Sequence, residues 1–319
     1  MADLIEVNNI NIWYEEFGNT DNETILLIMG ANANCKHWDQ EFIDQLVAND
    51  YHVVRFDNRD VGKTTWFGKE PAFNKILKIL PNFLLKMIVN SIFGLAVDEK
   101  GRFKFSESTP IQYNLSDMAK DAVSLMDSLK IDKAHIIGAS MGGMITQIIA
   151  LDYPEKVLSI TPIMTSPGIQ NESLSGPTKE LIEAMKKSFV FNLKGRIEDG
   201  VVEIYRQLTG SRFPFNEDKF REKLKPIVDH GNNPFALHGA AVGASPDRTS
   251  RLHEIDVPAL IIHGTEDAIL PLDHGIAVAD GIKDSKRMIM EGVGHEIPEE
   301  LIPEIVKEIV ENIRRTNLD

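Results

Sequence analysis

Gly138-Ala139-Ser140-Met141-Gly142 is the segment of this chain most suited to chemistry. A serine set among glycines, directly after an apolar run and opening an apolar helix, suits a sharp strand-to-helix turn that exposes its hydroxyl. Such a turn strains the serine backbone, so bulk must be absent around it; Gly138, Gly142 and Gly143 meet that need. A serine hydroxyl is a weak nucleophile near neutral pH and requires an adjacent base. Among nine histidines the candidate is His295, in the small-residue loop Gly292-Val293-Gly294-His295 between the last expected strand and the last helix. The imidazole in turn needs an acid to orient it. Asp267 follows the strand expected at 258–263, with Glu266 beside it as the rival carboxylate. Acyl transfer to Ser140, with His295 as general base and Asp267 as orienting acid, is the chemistry these types and spacings imply.

A tetrahedral intermediate also needs donors aimed at its oxygen. The backbone N–H of Met141, next to the nucleophile, is one candidate. The N–H of Ala31, in the Met29-Gly30-Ala31-Asn32 loop, is the second. Asn32 either adds a side-chain amide or caps the loop, while Cys35 and Trp38 read as packing residues.

These side chains must be carried to one place by the elements around them. A hairpin is expected over 4–16, turning at Asn8-Asn9, then a buried strand at 24–29, a helix at 37–47 and a strand at 52–56. The pattern resumes with a helix at 116–129, capped by Ser116, a strand at 134–137, a helix at 141–153 and a strand at 158–164. It ends with strands at 258–263 and 287–290, a helix near 272–279 and a last helix from about 299. Strands alternating with helices imply an α/β fold: a mostly parallel, doubly wound sheet with a helical cap. The expected core comprises 1–165 and 253–319, interrupted by a helical insertion at about 64–112, and 166–252 forms the cap. Both interruptions follow strand ends and so fall at the carboxyl edge, where ligands bind in open sheets.

Composition narrows the function classes. The 319 residues carry a net charge of −14, which opposes binding to phosphate backbones and excludes general nucleic-acid binding. A single cysteine rules out an internal disulfide and any multi-cysteine metal site. The N-terminal residues lack a basic stretch followed by an apolar core, and no apolar run is long enough to span a bilayer, so a cytoplasmic location is expected.

With these motifs in place the chain resembles the α/β-hydrolase superfamily over nearly its whole length, and within it the bacterial aclacinomycin methylesterases and their relatives. The residues that carry the likeness are Leu26-Leu27-Ile28-Met29-Gly30, Val54-Arg55-Phe56-Asp57-Asn58-Arg59-Asp60 with Gly62, His135-Ile136-Ile137-Gly138-Ala139-Ser140-Met141-Gly142 with Ile145-Thr146-Gln147, and Gly294-His295. The resemblance implies the α/β-hydrolase fold, a Ser-His-Asp mechanism on Ser140, His295 and Asp267, no metal or organic cofactor, and a small-molecule ester as partner. The first insertion departs from that group. Carbon–carbon, amide and peracid chemistry use the same three residues, and a small-molecule receptor with a vestigial set is the alternative outside the enzymes.

Residues 73–97 hold Lys75, Lys78 and Lys86 and no acid. With Asn82 these are expected on one helical face, with Ile76, Ile79, Leu80, Phe83, Leu84, Met87 and Ile88 on the rest and Pro81 as a kink or helix start. Three roles are open to the segment: a hairpin packed on the core, an apolar lid over lipophilic esters, or a membrane-surface contact. In the second insertion Phe191, Tyr205, Phe213, Phe215 and Phe235 read as the cap's own core or as a substrate wall.

Overall fold

A computed structural model describes residues 2–104 and 111–317. Eight strands form one sheet: β1 (Ala2–Val7), β2 (Ile10–Phe17), β3 (Thr24–Ile28), β4 (His52–Phe56), β5 (Ala134–Ala139), β6 (Val157–Ile163), β7 (Leu260–Gly264) and β8 (Lys286–Met290). Their order is β1-β2-β4-β3-β5-β6-β7-β8; β2 runs antiparallel to both of its neighbours, β1 and β4, and the other pairings are parallel. The helices are α1 (Gln40–Ala48), α2 (Asn74–Ile79), α3 (Asn82–Ala96), α4 (Leu115–Ser128), α5 (Met141–Asp152), α6 (Lys179–Leu193), α7 (Ile197–Leu208), α8 (Glu217–His230), α9 (His238–Ala244), α10 (Leu272–Gly281) and α11 (Ile302–Ile313).

Strands β3, β4 and β5 are buried along their whole length because each face of the sheet is covered. Leu26, Ile28, Val54 and Ile136 pack with residues of α4, α5 and α10. The alternate residues Ile25, Leu27, Val53 and Ile137 pack with α1 and α11 on the opposite face. The hairpin turns at Asn8 and Asn9, both at positive φ, which asparagine tolerates in a tight two-residue turn.

Several boundaries differ from expectation for local reasons. The helix expected at 116–129 begins at Leu115: Asn114, not Ser116, is its cap, because the Asn114 side chain accepts from Asp117 N–H while Asp117 accepts from Asn114 N–H. The helix expected from 37 begins at Gln40, capped by Asp39, after a single 3-10 turn. The strand expected at 258–263 runs two residues later at its start, and the C-terminal helix opens with a 3-10 turn at Glu299–Leu301.

The first interruption holds α2 and α3, split at Leu80-Pro81, so the one lysine-bearing helical face expected there is divided between two helices. Its buried apolar residues Leu77, Leu85 and Val89 pack with Leu193 of α6, whereas Ile76, Ile79, Phe83, Leu84 and Met87 are exposed. Residues 105–110 of that interruption lie outside the described residues. The second interruption supplies α6 to α9, and its aromatic residues pack partly on one another: Tyr205 and Phe215 lie 4.5 and 5.4 Å, centroid to centroid, from Phe220. Among the described residues no helix is long and apolar enough to cross a membrane.

Candidate active site

The site is built where the parallel strands end. Ser140 joins β5 to α5 with φ 54° and ψ −117°, a conformation costing on the order of 1–3 kcal/mol and held by its surroundings. Its N–H donates to the Ile163 carbonyl at 2.8 Å, and Thr165 Oγ1 donates to its carbonyl at 2.7 Å, so the end of β6 and the loop after it clamp the turn. A methyl group at Gly142 would stand 2.0 Å from the Ile28 carbonyl oxygen. Only glycine lets the helix start this close to the end of β3.

Asp267 lies just beyond β7 and is buried. Its Oδ1 accepts from the N–H groups of Ile269 (3.0 Å) and Leu270 (2.8 Å), and its Oδ2 from His295 Nδ1 (2.6 Å). With Asp267 accepting from Nδ1–H, the second ring nitrogen Nε2 is left as an acceptor in the neutral ring. Glu266, the rival acid, is exposed and turned elsewhere: its carboxylate takes the N–H and hydroxyl of Ser211, both at 2.7 Å, and these bonds hold its pKa below the usual value. His263 stands behind Asp267, 3.4 Å from Oδ2, and donates to the Leu270 carbonyl at 2.8 Å. Burial keeps its pKa low, so it is neutral and adds no charge to the site.

His295 sits in the loop after β8. Its N–H donates to the Leu208 carbonyl at 2.7 Å, at the end of α7, and Arg212 N–H donates to Gly292 at 2.8 Å. Backbone meets backbone there, since a methyl group on Gly294 would stand 2.0 Å from the same Leu208 oxygen. The 208–212 segment therefore shapes the histidine loop, a role that nothing in its sequence announces. Ser140 and His295 end on the same edge of the sheet, on β5 and β8, without a hydrogen bond between their side chains in this structure. Such bonds are often long until substrate tightens them.

The loop after β3 lies against the serine: the Cβ position of Gly30 is 3.1 Å from Ser140 Cβ and 3.7 Å from Oγ. Among the described residues the N–H groups of Ala31 and Met141 have no hydrogen-bond partner. Two buried groups hold this loop. Asn58 Nδ2 donates to the Met29 carbonyl at 2.9 Å, and Asn32 N–H donates to His238 Nδ1 at 2.8 Å. The opposite nitrogen of His238 donates to the Arg59 carbonyl at 2.7 Å. That pairing requires the neutral imidazole, which burial favours by lowering its pKa. His238 comes from α9, 206 positions along the chain from Asn32, and sequence reading passed it over.

A second cluster is close by. Cys35, Asp57 and His230 are buried with ligand atoms within 4.8 Å of one another. The Asp57 carboxylate is already filled by Cys35 N–H, Lys63 N–H and His230 Nε2. Burial, reinforced by Asp57, pushes the Cys35 thiol well above its ordinary pKa, so it stays protonated and is a poor metal ligand. The cluster is a structural clamp.

Comparison with known proteins agrees with this architecture. The family model described as the alpha/beta hydrolase fold matches residues 23–195. Rhodomycin D methylesterase DauP of Streptomyces sp. (strain C5) is 25% identical over 317 residues, covering 92% of each chain. The 2-hydroxy-6-oxononadienedioate/2-hydroxy-6-oxononatrienedioate hydrolase 1 of Pseudomonas putida is 27% identical over 229 residues, 66% of this chain and 74% of its own. Among solved structures, an esterase from Exiguobacterium antarcticum superposes with a TM-score of 0.69 at 17% identity, over 98% of this chain and 100% of the other. The match spans more than half of the chain, and the protein belongs to the alpha/beta hydrolase fold family.

Proposed function

We propose that the protein hydrolyses a carboxylic ester of a small lipophilic molecule through an acyl-enzyme on Ser140. The observation that carries this reading is the 2.6 Å bond between His295 Nδ1 and the buried Asp267 carboxylate, on the sheet edge that also ends in the strained Ser140. Ser140 Oγ attacks the ester carbonyl while His295 Nε2 takes its proton, and Asp267 stabilises the imidazolium. The N–H groups of Ala31 and Met141 receive the oxyanion. His295 then protonates the departing alcohol, and water releases the acid by the reverse sequence. The similarity to rhodomycin D methylesterases supports ester cleavage.

The similarity to 2-hydroxy-6-oxo-dienoate hydrolases favours a second reading, cleavage of a carbon–carbon bond beside a carbonyl by the same groups.

A fluorophosphonate probe with peptide mapping tests the nucleophile: Ser140 is labelled in the folded protein and Ser140→Ala is not. Turnover of p-nitrophenyl esters of graded chain length then separates the reactions. Loss of absorbance from a 2-hydroxy-6-oxo-dienoate without ester turnover would favour the carbon–carbon reading. A folded protein that the probe leaves untouched would overturn both and point to a receptor.

A further inference from the structure

We infer that the α2–α3 hairpin is a docking face for an anionic lipid surface. Of the fourteen large apolar side chains that stand exposed among the described residues, eight fall between 73 and 95. Ile79 is 81% exposed, Leu95 79% and Phe83 64%. An apolar patch this concentrated is uncommon on a surface with no partner.

The hairpin is held so that this face stays outward. On α3, Leu85 and Val89 turn toward Leu193 of α6. Phe83 and Met87 fall on the opposite side of the helical wheel, where positions three to four apart share a face, and Leu95 falls on its flank. Lys194 Nζ donates to the carbonyls of Lys78 (2.9 Å) and Leu80 (2.8 Å), tying the end of α2 to the end of α6. The apolar residues cannot fold back without breaking this anchorage.

Charge selects the occupant. Residues 73–97 carry three lysines and no acid in a chain of net charge −14. Lys75 and Lys86 are exposed and have no ion-pair partner among the described residues, and Lys78 pairs with Glu70 at 2.5 Å. Apolar side chains flanked by unpaired lysines complement a lipid surface, where the former enter the acyl boundary and the latter meet anionic headgroups. A second copy on this face would set lysine against lysine between two strongly acidic bodies. The docking is independent of the chemistry at Ser140.

Co-sedimentation with unilamellar vesicles tests this, using the full chain and two exposed-site variants, Ile79→Ser/Phe83→Ser and Lys75→Gln/Lys86→Gln. Retention of the wild-type thermal melt shows that the variants fold. The wild type sediments with phosphatidylcholine vesicles containing a quarter phosphatidylglycerol and at least fivefold less with pure phosphatidylcholine. Neutralising the two lysines weakens binding roughly 25-fold, near fivefold for each charge. The apolar variant loses binding. The inference is overturned if the folded wild type fails to sediment, or if either variant binds as well as wild type. It is also overturned if gel filtration shows a dimer that Ile79→Ser/Phe83→Ser dissolves, since the face then covers a second copy.

Discussion

Replacing Asp267 by asparagine keeps the shape of the side chain and reverses the hydrogen-bonding logic of the site. Three donors converge on the carboxylate: the N–H groups of Ile269 and Leu270 on Oδ1 and His295 Nδ1 on Oδ2. An amide must present its NH2 to one of these sides. Turned toward the backbone, it would leave two buried N–H groups unpaired, at roughly 1–3 kcal/mol each. The amide oxygen therefore stays on the backbone and the NH2 faces His295. The imidazole then carries its proton on Nε2 and cannot accept the Ser140 proton. A triad aspartate lost in this way lowers turnover by roughly 10⁴-fold, on the order of 5.5 kcal/mol at about 1.36 kcal/mol per tenfold. The assay is kcat/KM for a p-nitrophenyl ester, with a thermal melt as the folding control. Glu266→Gln is the companion, since Glu266 serves only Ser211; it keeps kcat/KM within about threefold by the modest worth of an exposed contact. A folded Asp267→Asn protein within tenfold of wild type, or a deeper loss in Glu266→Gln, would refute the argument.

Three other outcomes are expected. Gly142→Ala drives a methyl group into the Ile28 carbonyl, so kcat falls and Tm drops; an unperturbed melt with full activity contradicts the close approach of α5 to β3. Asp121→Ala removes the partner of the buried Arg59, bound at 2.7 and 2.8 Å, and costs about 3–5 kcal/mol in urea unfolding; a change under about 1 kcal/mol would show that water reaches the guanidinium. Burial, the largest cause for each, holds His52, His135, His238 and His263 below the ordinary histidine pKa of 6.5. Below about pH 6.5 the unfolded chain consequently binds protons that the native protein refuses, and stability falls as pH falls through that window; melts from pH 7.5 to 5 should show declining Tm, and a rising Tm would reverse the sign.

The strands were readable because both faces of the sheet are covered, which leaves mostly apolar runs such as 24–28 and 134–139, with single polar positions at Thr24 and His135. The serine turn was readable because strand, glycine spacing and helix coincide there. Adjacent residues of like chemistry were harder to separate. Asp267 turns to His295 and Glu266 to Ser211, and Ser211 arrives from the second interruption. Asn114 and Ser116 are both good caps, and the reciprocal bond from Asp117 decides between them. The His238 contact with Asn32 leaves no local pattern, since a lone histidine in a helix is indistinguishable by spacing from any packing residue. Periodicity marked the hairpin at 73–97 as amphipathic, but its partner is α6, so the side that would be covered could not be assigned.

The loop between β4 and α2 gathers polar groups from distant parts of the chain. Asp60 takes the Tyr113 hydroxyl and the N–H groups of Phe67, Gly68 and Leu237, together with Asn233 Nδ2, while Asp57 takes His230. Burial alone would raise the pKa of Asp60; the Tyr113 hydroxyl and these N–H groups outweigh it and keep the carboxylate ionised. The stretch 230–238 is thus riveted to the loop after β4, so a wide swing of this stretch would strand several buried donors at once. Transplanting the segment onto a related sheet would require carrying residues 57–62 with it, and any wide motion of the second interruption is left to the parts that these two aspartates do not grip.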